Sequence, residues 1–371
     1  MNDEEINFLK KLVEIYSPSG KEAEITKFLD KTMKELGFKV QKDPAGNIIG
    51  EIGTGKPLIL FSSHMDTVPG EIPVKIESGR LYGRGSVDAK GSIAAMILAI
   101  SNFAKQDIKS KIIFVGLVEE EISLKGIEQL IKNQFKVDYA IFGEPAGSDR
   151  IGAAYKGRLG LKFTVKSKKG QSHVASSWLY VNAIEEGFLL WSELKNHFEK
   201  NYKGKSPFFS IIPNLTIIQG GNAVNIVPEF CSMNVDIRFP PGIPSENMIK
   251  EIDLKIKEFM KKKEVEISYE ILNQIEGYRV DKKSKIVQTT IKAISEVLNK
   301  EPKILRKTGT CFMNIIGTKM HIPIISYGPG DPQIEHTDNE YIELQDFINS
   351  IKVYKKIIEL LLEVKNKIII H

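Results

Sequence analysis

The sequence predicts an α/β fold: a mainly parallel-sheet domain interrupted by a smaller α+β domain. Three observations carry this. Apolar strands alternate with helices through the first 156 residues, the pattern of a parallel sheet with crossover helices. The order then changes to strand, helix, two strands, helix, strand, which is the ferredoxin-like unit βαββαβ. From about residue 275 helices and short apolar strands return. The expected domains are therefore 1–156 with 275–371, and 157–274. A chain of 371 residues is long enough to bury two cores.

In chain order, Ile6, Leu9, Leu12, Val13 and Tyr16 form one helix face. A break at "SPSG" precedes a second helix to Leu36. "KVQKDPAGNIIGEIG" reads as two short strands about a Pro-Gly turn, and "PLILFSSH" as a buried strand. "GRLYGRGSVDAKGSIAAMILAISNFAKQ" is a glycine-rich loop opening an apolar helix. Strand "KIIFVGLV", an acidic turn, a helix and strand "VDYAIFGEP" follow. In the second domain, "RLGLKFTVKSKKG", "FSIIPNLTIIQGG", "EFCSMNVDIRFPP" and "EVEISYEIL" are strands. "NAIEEGFLLWSELKNHFEK" and "SENMIKEIDLKIKEFMKKK" are helices. "IPIISYGPG" is a late strand, and a helix ends the chain.

Composition narrows the functional class. With 42% hydrophobic and 27% charged residues, the chain is globular. Its apolar runs, such as "IIFVGLV", fall far short of the ~20 residues of a membrane span. The acidic, amphipathic N-terminus is unlike a signal peptide. Cys231 and Cys311 are its two cysteines, with no CxxC, which argues for a reducing compartment and against a thiolate zinc site. The cytoplasm is the expected location. Net charge is +5, but the lysines alternate with glutamates along helices. That suits solvated helix faces and a modest attraction for acidic partners, not a nucleic-acid groove.

The chemistry lies where first-domain strands end. His64 and Asp66 close "LILFSSHMDT"; two residues apart on a strand, they would share a face, so that the carboxylate could orient the imidazole. Asp88 precedes a helix in "GSVDAKG". Glu119, Glu120 and Glu121 follow strand "IIFVGL", Glu144 follows "YAIF", and His336 lies in "QIEHTDN". Each has an ordinary alternative: a helix cap, a solvated turn, a loop histidine. Together they fall at the carboxyl edge of one sheet, where α/β proteins bind ligands. Histidine and carboxylate without thiolate suit zinc or another first-row divalent ion at a catalytic site. "GEIGTGK", residues 50–56, matches the start of a phosphate-binding loop. Pro57 stands where Ser or Thr would hold magnesium and a strand follows in place of a helix, so it is read as a hairpin turn.

"SSHMDTVP", "GRGSVDAKGSIAAM", "VEEEISLKG", "FGEP", "SHVAS", "GGNAVNIVPE", "DIRFPP" and "YGPGDPQIEHTDNEYI" resemble, in order, the motifs of the co-catalytic zinc peptidase/aminoacylase family. That family includes acetylornithine deacetylase, succinyl-diaminopimelate desuccinylase and glutamate carboxypeptidases. "LRKTGTCFMNI" with "SYGPGDPQIEHT" is most similar to its members that release lysine or ornithine from an amino-group carrier protein.

The resemblance implies two divalent metal ions, zinc before cobalt. Asp88 would bridge them, His64 and Glu144 would complete one site, and Glu121 and His336 the other. Asp66 would orient His64, and Glu120, the middle acid, would be the general base. Gly126 keeps the family spacing after that turn. His173 would reach the oxyanion from a partner subunit. Asn225 and Arg238 would bind the substrate backbone and carboxylate, and Gly309 and Thr310 a substrate-contacting loop. The second domain would be a lid and dimerisation domain, making the protein a homodimer. Trp178, where proline is usual, and Cys311-Phe312, where Ser-Asp is common, depart from the pattern. Lys90 matches it without a defined role. His197, His321 and His371 match nothing in it.

The implied function is hydrolysis of an amide to release lysine or ornithine from an acidic carrier protein, or from an N-acetyl derivative, in amino-acid biosynthesis. A metal-dependent carboxypeptidase or dipeptidase is the alternative within the same chemistry. A non-catalytic binding relative is the alternative outside it.

Overall fold

The structure, a computed structural model, describes residues 3–362; His371 lies outside them. The chain divides into two compact units. One comprises the residues up to Ala153, Val280–Leu305 and those from Cys311 on. The other comprises Ala154–Arg279 with Arg306–Thr310. The sequence boundaries at 157 and 274 fall a few residues inside this second unit, and Arg306–Thr310 groups with it and not with the first.

The first unit is built on a mixed sheet. Strands Lys111–Leu117, Leu58–His64, Tyr139–Phe142 and Ile324–Ser326 lie side by side and parallel. Buried on both faces, such strands are near-continuously apolar; Ile59, Leu60 and Phe61 have no exposure. Ile48–Ile52 and Lys39–Lys42 extend one side antiparallel. Lys111–Leu117 therefore lies between Ile48–Ile52 and Leu58–His64. The "GEIGTGK" turn does not close a hairpin, because its two flanking strands pair with a third.

Helix Lys90–Ser101 is buried nearly all round, as a helix packed on every side must be. It packs on Leu344–Leu361, which packs on Lys285–Leu298. Phe61 meets Tyr354 edge-on, with centroids 5.9 Å apart, tying sheet to helix. Among the described residues no helix is long and apolar enough to cross a membrane.

A small sheet of Lys75–Glu77, Arg80–Tyr82 and Tyr341–Glu343 was not foreseen. Its strands are three residues each, too short for periodicity to register. Its consequence is structural: pairing Arg80–Tyr82 with Tyr341–Glu343 brings the loop before Asp88 beside the segment after His336.

The second unit has the expected βαββαβ order. Its four strands are antiparallel in the order Ile212–Gly220, Phe230–Phe239, Gly157–Ser167, Val265–Ile275. Leu159, Leu161, Phe163 and Val165 alternate onto one face with Cys231, Met233, Val235 and Ile237. There they meet helices Ala183–Asn201 and Ser245–Lys262 through Leu190, Phe198, Ile252 and Phe259. His197 on the first of these helices lies 2.6 Å from Glu251 on the second. His321 ends helix Phe312–Met320 in a left-handed conformation (φ 55).

Candidate metal centre

Parallel strands bring their carboxyl ends to one edge, and the candidate residues of the first unit gather there. His64 is the last residue of its strand. Glu119–Glu121 follow Lys111–Leu117, and buried Glu144 lies two residues beyond Phe142. Gly328 lets the turn after Ile324–Ser326 approach Glu144: an added Cβ would stand 2.8 Å from the Glu144 carbonyl oxygen and 2.2 Å from Ser92 Oγ.

Asp88 is the centre of the cluster. Its Oδ1 lies 3.0 Å from His64 Nε2 and its Oδ2 2.9 Å from His336 Nε2. His336 Nε2 is also 2.9 Å from Glu121 Oε1. His64, Asp88 and Glu121 each offer a ligand atom within 4.8 Å of the others. One carboxylate thus faces two imidazoles, one from each of its oxygens.

The partner of His64 differs from the sequence expectation. The strand ends at His64, so Asp66 does not continue its face. Nδ1 lies 3.0 Å from the Asp66 backbone carbonyl and 3.6 Å from its carboxylate Oδ1. A carbonyl there makes Nδ1 the donor and leaves Nε2 as the ligand atom. The Asp66 carboxylate also has other partners. It accepts the N–H groups of Glu120 (3.0 Å) and Glu121 (3.1 Å) and the Ser19 hydroxyl (2.6 Å).

The electrostatics suit a cation. Burial acts to raise the Asp88 carboxyl, yet the two imidazoles hold it well below the usual carboxylate range. Burial acts to lower His64, but Asp88 and Asp66 keep its imidazole well above the ordinary value. Hydrogen bonds to Asp88 and Glu121 lift His336 to about 10. Glu120 has no such partner: burial, with Glu121, Asp88 and Asp66 nearby, pushes it up to about 8 despite His64. The donor set of imidazole nitrogens and carboxylates about Asp88 fits a divalent metal site.

Two residues support the Asp88 loop: Glu340, which the sequence reading missed, and Lys90, for which it had no role. Buried Glu340, four residues after His336, accepts N–H groups from Gly85, Val87 and Asp88 at 2.9–3.1 Å and pairs with buried Arg84 at 2.9 Å. It fixes the Asp88 loop to the His336 loop. Lys90 donates from Nζ to the Ile15 carbonyl, and burial pushes it down to about 7.

The second unit holds the other candidates. Ser172–His173 pairs antiparallel with Ile226–Val227, and Val174 N–H donates to the Asn225 carbonyl (3.0 Å), so exposed His173 and Asn225 are neighbours. Arg238 reaches Thr310 Oγ1 at 3.3 Å. At Gly309 a Cβ would meet nothing within 4 Å, so packing gives no reason for glycine. Arg158 is a further residue the sequence reading missed. It is the cross-strand partner of Arg238, and Asp236 bridges both guanidinium groups at 2.6 Å. Like charges directly opposite each other are unfavourable, and one carboxylate between two arginines leaves a net positive site. Only strand register shows this pairing.

The match to known proteins settles the family. Residues 60–360 match the family described as peptidase family M20/M25/M40. The chain belongs to this family. It is 32% identical over 350 residues to the LysW-lysine/LysW-ornithine hydrolase of Saccharolobus solfataricus, covering 94% of this chain and 93% of that protein. A Pyrococcus furiosus protein that bears the same name as a provisional assignment is 37% identical over 363 residues, covering 96% and 97%. Among solved structures, an M20 family metallo-carboxypeptidase from Sulfolobus solfataricus superposes with a TM-score of 0.81 at 21% identity, covering 98% of this chain and all of that one. Membership makes the chain a member of a hydrolase family, and the superposition supports its fold.

Proposed function

We propose that this M20 chain is a two-metal amide hydrolase that releases lysine or ornithine from an acidic amino-group carrier protein in amino-acid biosynthesis. The observation that carries the chemistry is Asp88, with one oxygen on each of two imidazoles. The substrate reading rests on relatives of that name aligned over nearly the whole chain.

In this reading His64, Asp88 and Glu144 hold one ion and Asp88, Glu121 and His336 the other, with zinc the first choice and cobalt the second. When bound, the ions supply Lewis-acid polarisation of the amide carbonyl and acidify water. Glu120 takes a proton from the attacking water and delivers it to the amine nitrogen as the C–N bond breaks. Asp66 holds Glu120 in place through its backbone N–H, and its carbonyl orients His64. Arg238, with Arg158 beside it, takes a substrate carboxylate, as a planar guanidinium does. Asn225, Gly309 and Thr310 contact the remainder. His173 supplies the oxyanion donor from a second copy of the chain. The second unit exposes Trp178, Phe188, Leu189, Ile217, Ile218 and Val224, which favours a homodimer. We place the protein in the cytoplasm.

The test is a substrate panel on zinc- and cobalt-loaded protein: carrier-linked lysine and ornithine, their N-acetyl forms, and ordinary dipeptides. The account expects release from the carrier-linked or acetylated diamino acids. Faster cleavage of ordinary dipeptides would assign a dipeptidase, and no cleavage at all would remove the enzymatic reading.

A further inference from the structure

The "SPSG" break between the first two helices is a brace that begins at buried Ser17 and Pro18. Ser17 Oγ donates to the Met65 carbonyl (2.8 Å), Thr67 N–H to the Ser17 carbonyl (2.9 Å), and Ser19 Oγ to Asp66 Oδ2 (2.6 Å). Lys90 Nζ holds the start of the same loop at Ile15. Its last residue, Glu22, stands at the N-cap of helix Ala23–Glu35 but makes no side-chain cap. The residue is 6% exposed, and its carboxylate turns away from its own helix. There it accepts the N–H groups of Gly20 (2.9 Å) and of Glu119 (3.1 Å), the latter 97 residues later.

Glu119 has φ 56, a left-handed conformation that a side-chain-bearing residue keeps only when its surroundings impose it. Its own carboxylate is held by Lys125 and Ser123, so its side chain takes no part in the site. Together Glu22 and Asp66 receive the three successive N–H groups of the acidic turn: Glu119 on Glu22, Glu120 and Glu121 on Asp66.

We propose that Glu22 is a positioning residue, fixing the backbone at Glu119 and thereby aiming the Glu120 carboxylate. This rests on the reading of Glu120 as base. Without an acceptor at Glu22 the Glu119 N–H loses its partner, the left-handed turn relaxes, and Glu120 leaves its position. A shift near 1 Å at a catalytic group costs up to about a hundredfold in rate.

The experiment compares Glu22→Ala, Glu22→Gln and, as a control, the exposed Lys21→Ala, all as full-length, metal-loaded protein. Three quantities are read: kcat and KM, metal content, and hydrogen exchange of the 119–121 amides. Glu22→Ala should lower kcat roughly 10- to 100-fold with KM and metal content kept. The 119–121 amides should exchange faster while those of 111–117 do not. Glu22→Gln, whose amide oxygen still accepts, should stay close to wild type, as should Lys21→Ala. If Glu22→Ala does not fold, Glu22→Asp withdraws the oxygen by one methylene and serves instead. Unchanged kcat in wild-type-like protein, exchange rising throughout the first unit, or Glu22→Gln failing as badly as Glu22→Ala would each overturn the proposal. If wild type cleaves no substrate, the functional reading fails, but the exchange pattern at 119–121 still decides the role of Glu22.

Discussion

Asp88 turns one carboxylate oxygen to His336 Nε2, 2.9 Å away and 248 positions later in the chain, while its other oxygen faces His64. Both imidazoles are held above their ordinary value, His336 at about 10. At neutral pH His336 is therefore protonated without metal, and a metal ligand must be neutral. Metal binding should release protons, and apparent affinity should climb steeply from about pH 6 to about pH 8. Calorimetry in buffers of different ionisation enthalpy measures the release. The same raised pKa values stabilise the metal-free fold below about pH 6.5, and that contribution is lost as pH rises toward 10.

Glu120 makes a sharper case for chemistry than for binding. Glu120→Gln should keep both ions and fold normally while kcat falls roughly 10²- to 10⁴-fold. Metal content by mass spectrometry alongside steady-state rates checks it. Retained turnover would move the base elsewhere.

Glu340 and Arg84 are 1% and 5% exposed at their side chains. Removing one member of a buried pair leaves the other uncompensated, so Glu340→Ala should destabilise the first unit by about 3–5 kcal/mol. Denaturant unfolding measures this. Weaker metal binding should accompany it, because the carboxylate also receives the Asp88 N–H.

Arg238→Lys keeps the charge and loses the planar fork. A lost hydrogen bond to a charged group is worth about 1.5–3 kcal/mol, so KM should rise roughly 10- to 100-fold with a smaller change in kcat. Arg158→Lys should act in the same direction if the two share an anion. Steady-state kinetics on both variants separates a shared site from a single one.

Much of this was legible in the sequence because it followed from periodicity and from strand ends. Alternation along Gly157–Ser167 and Phe230–Phe239 gave the second unit's sheet, and apolar runs ending in His64, Glu144 and the Glu119–Glu121 turn gave the candidate ligands. What escaped was long-range. The pairing of Arg80–Tyr82 with Tyr341–Glu343, the Glu340 anchor, the Glu22 brace and the Arg158–Asp236–Arg238 cluster each join segments whose adjacency no local pattern encodes. The same-face argument for His64 and Asp66 assumed that the strand runs on. It ends at His64, where Nδ1 lies closer to the Asp66 carbonyl (3.0 Å) than to its carboxylate (3.6 Å).

Anomalous X-ray scattering from crystals of the zinc-loaded protein tests the central claim most directly. The account predicts two peaks, one on each side of the Asp88 carboxylate, with His64 on the first ion and His336 on the second. No peak beside Asp88, or imidazoles still turned to its oxygens in metal-loaded crystals, would contradict it.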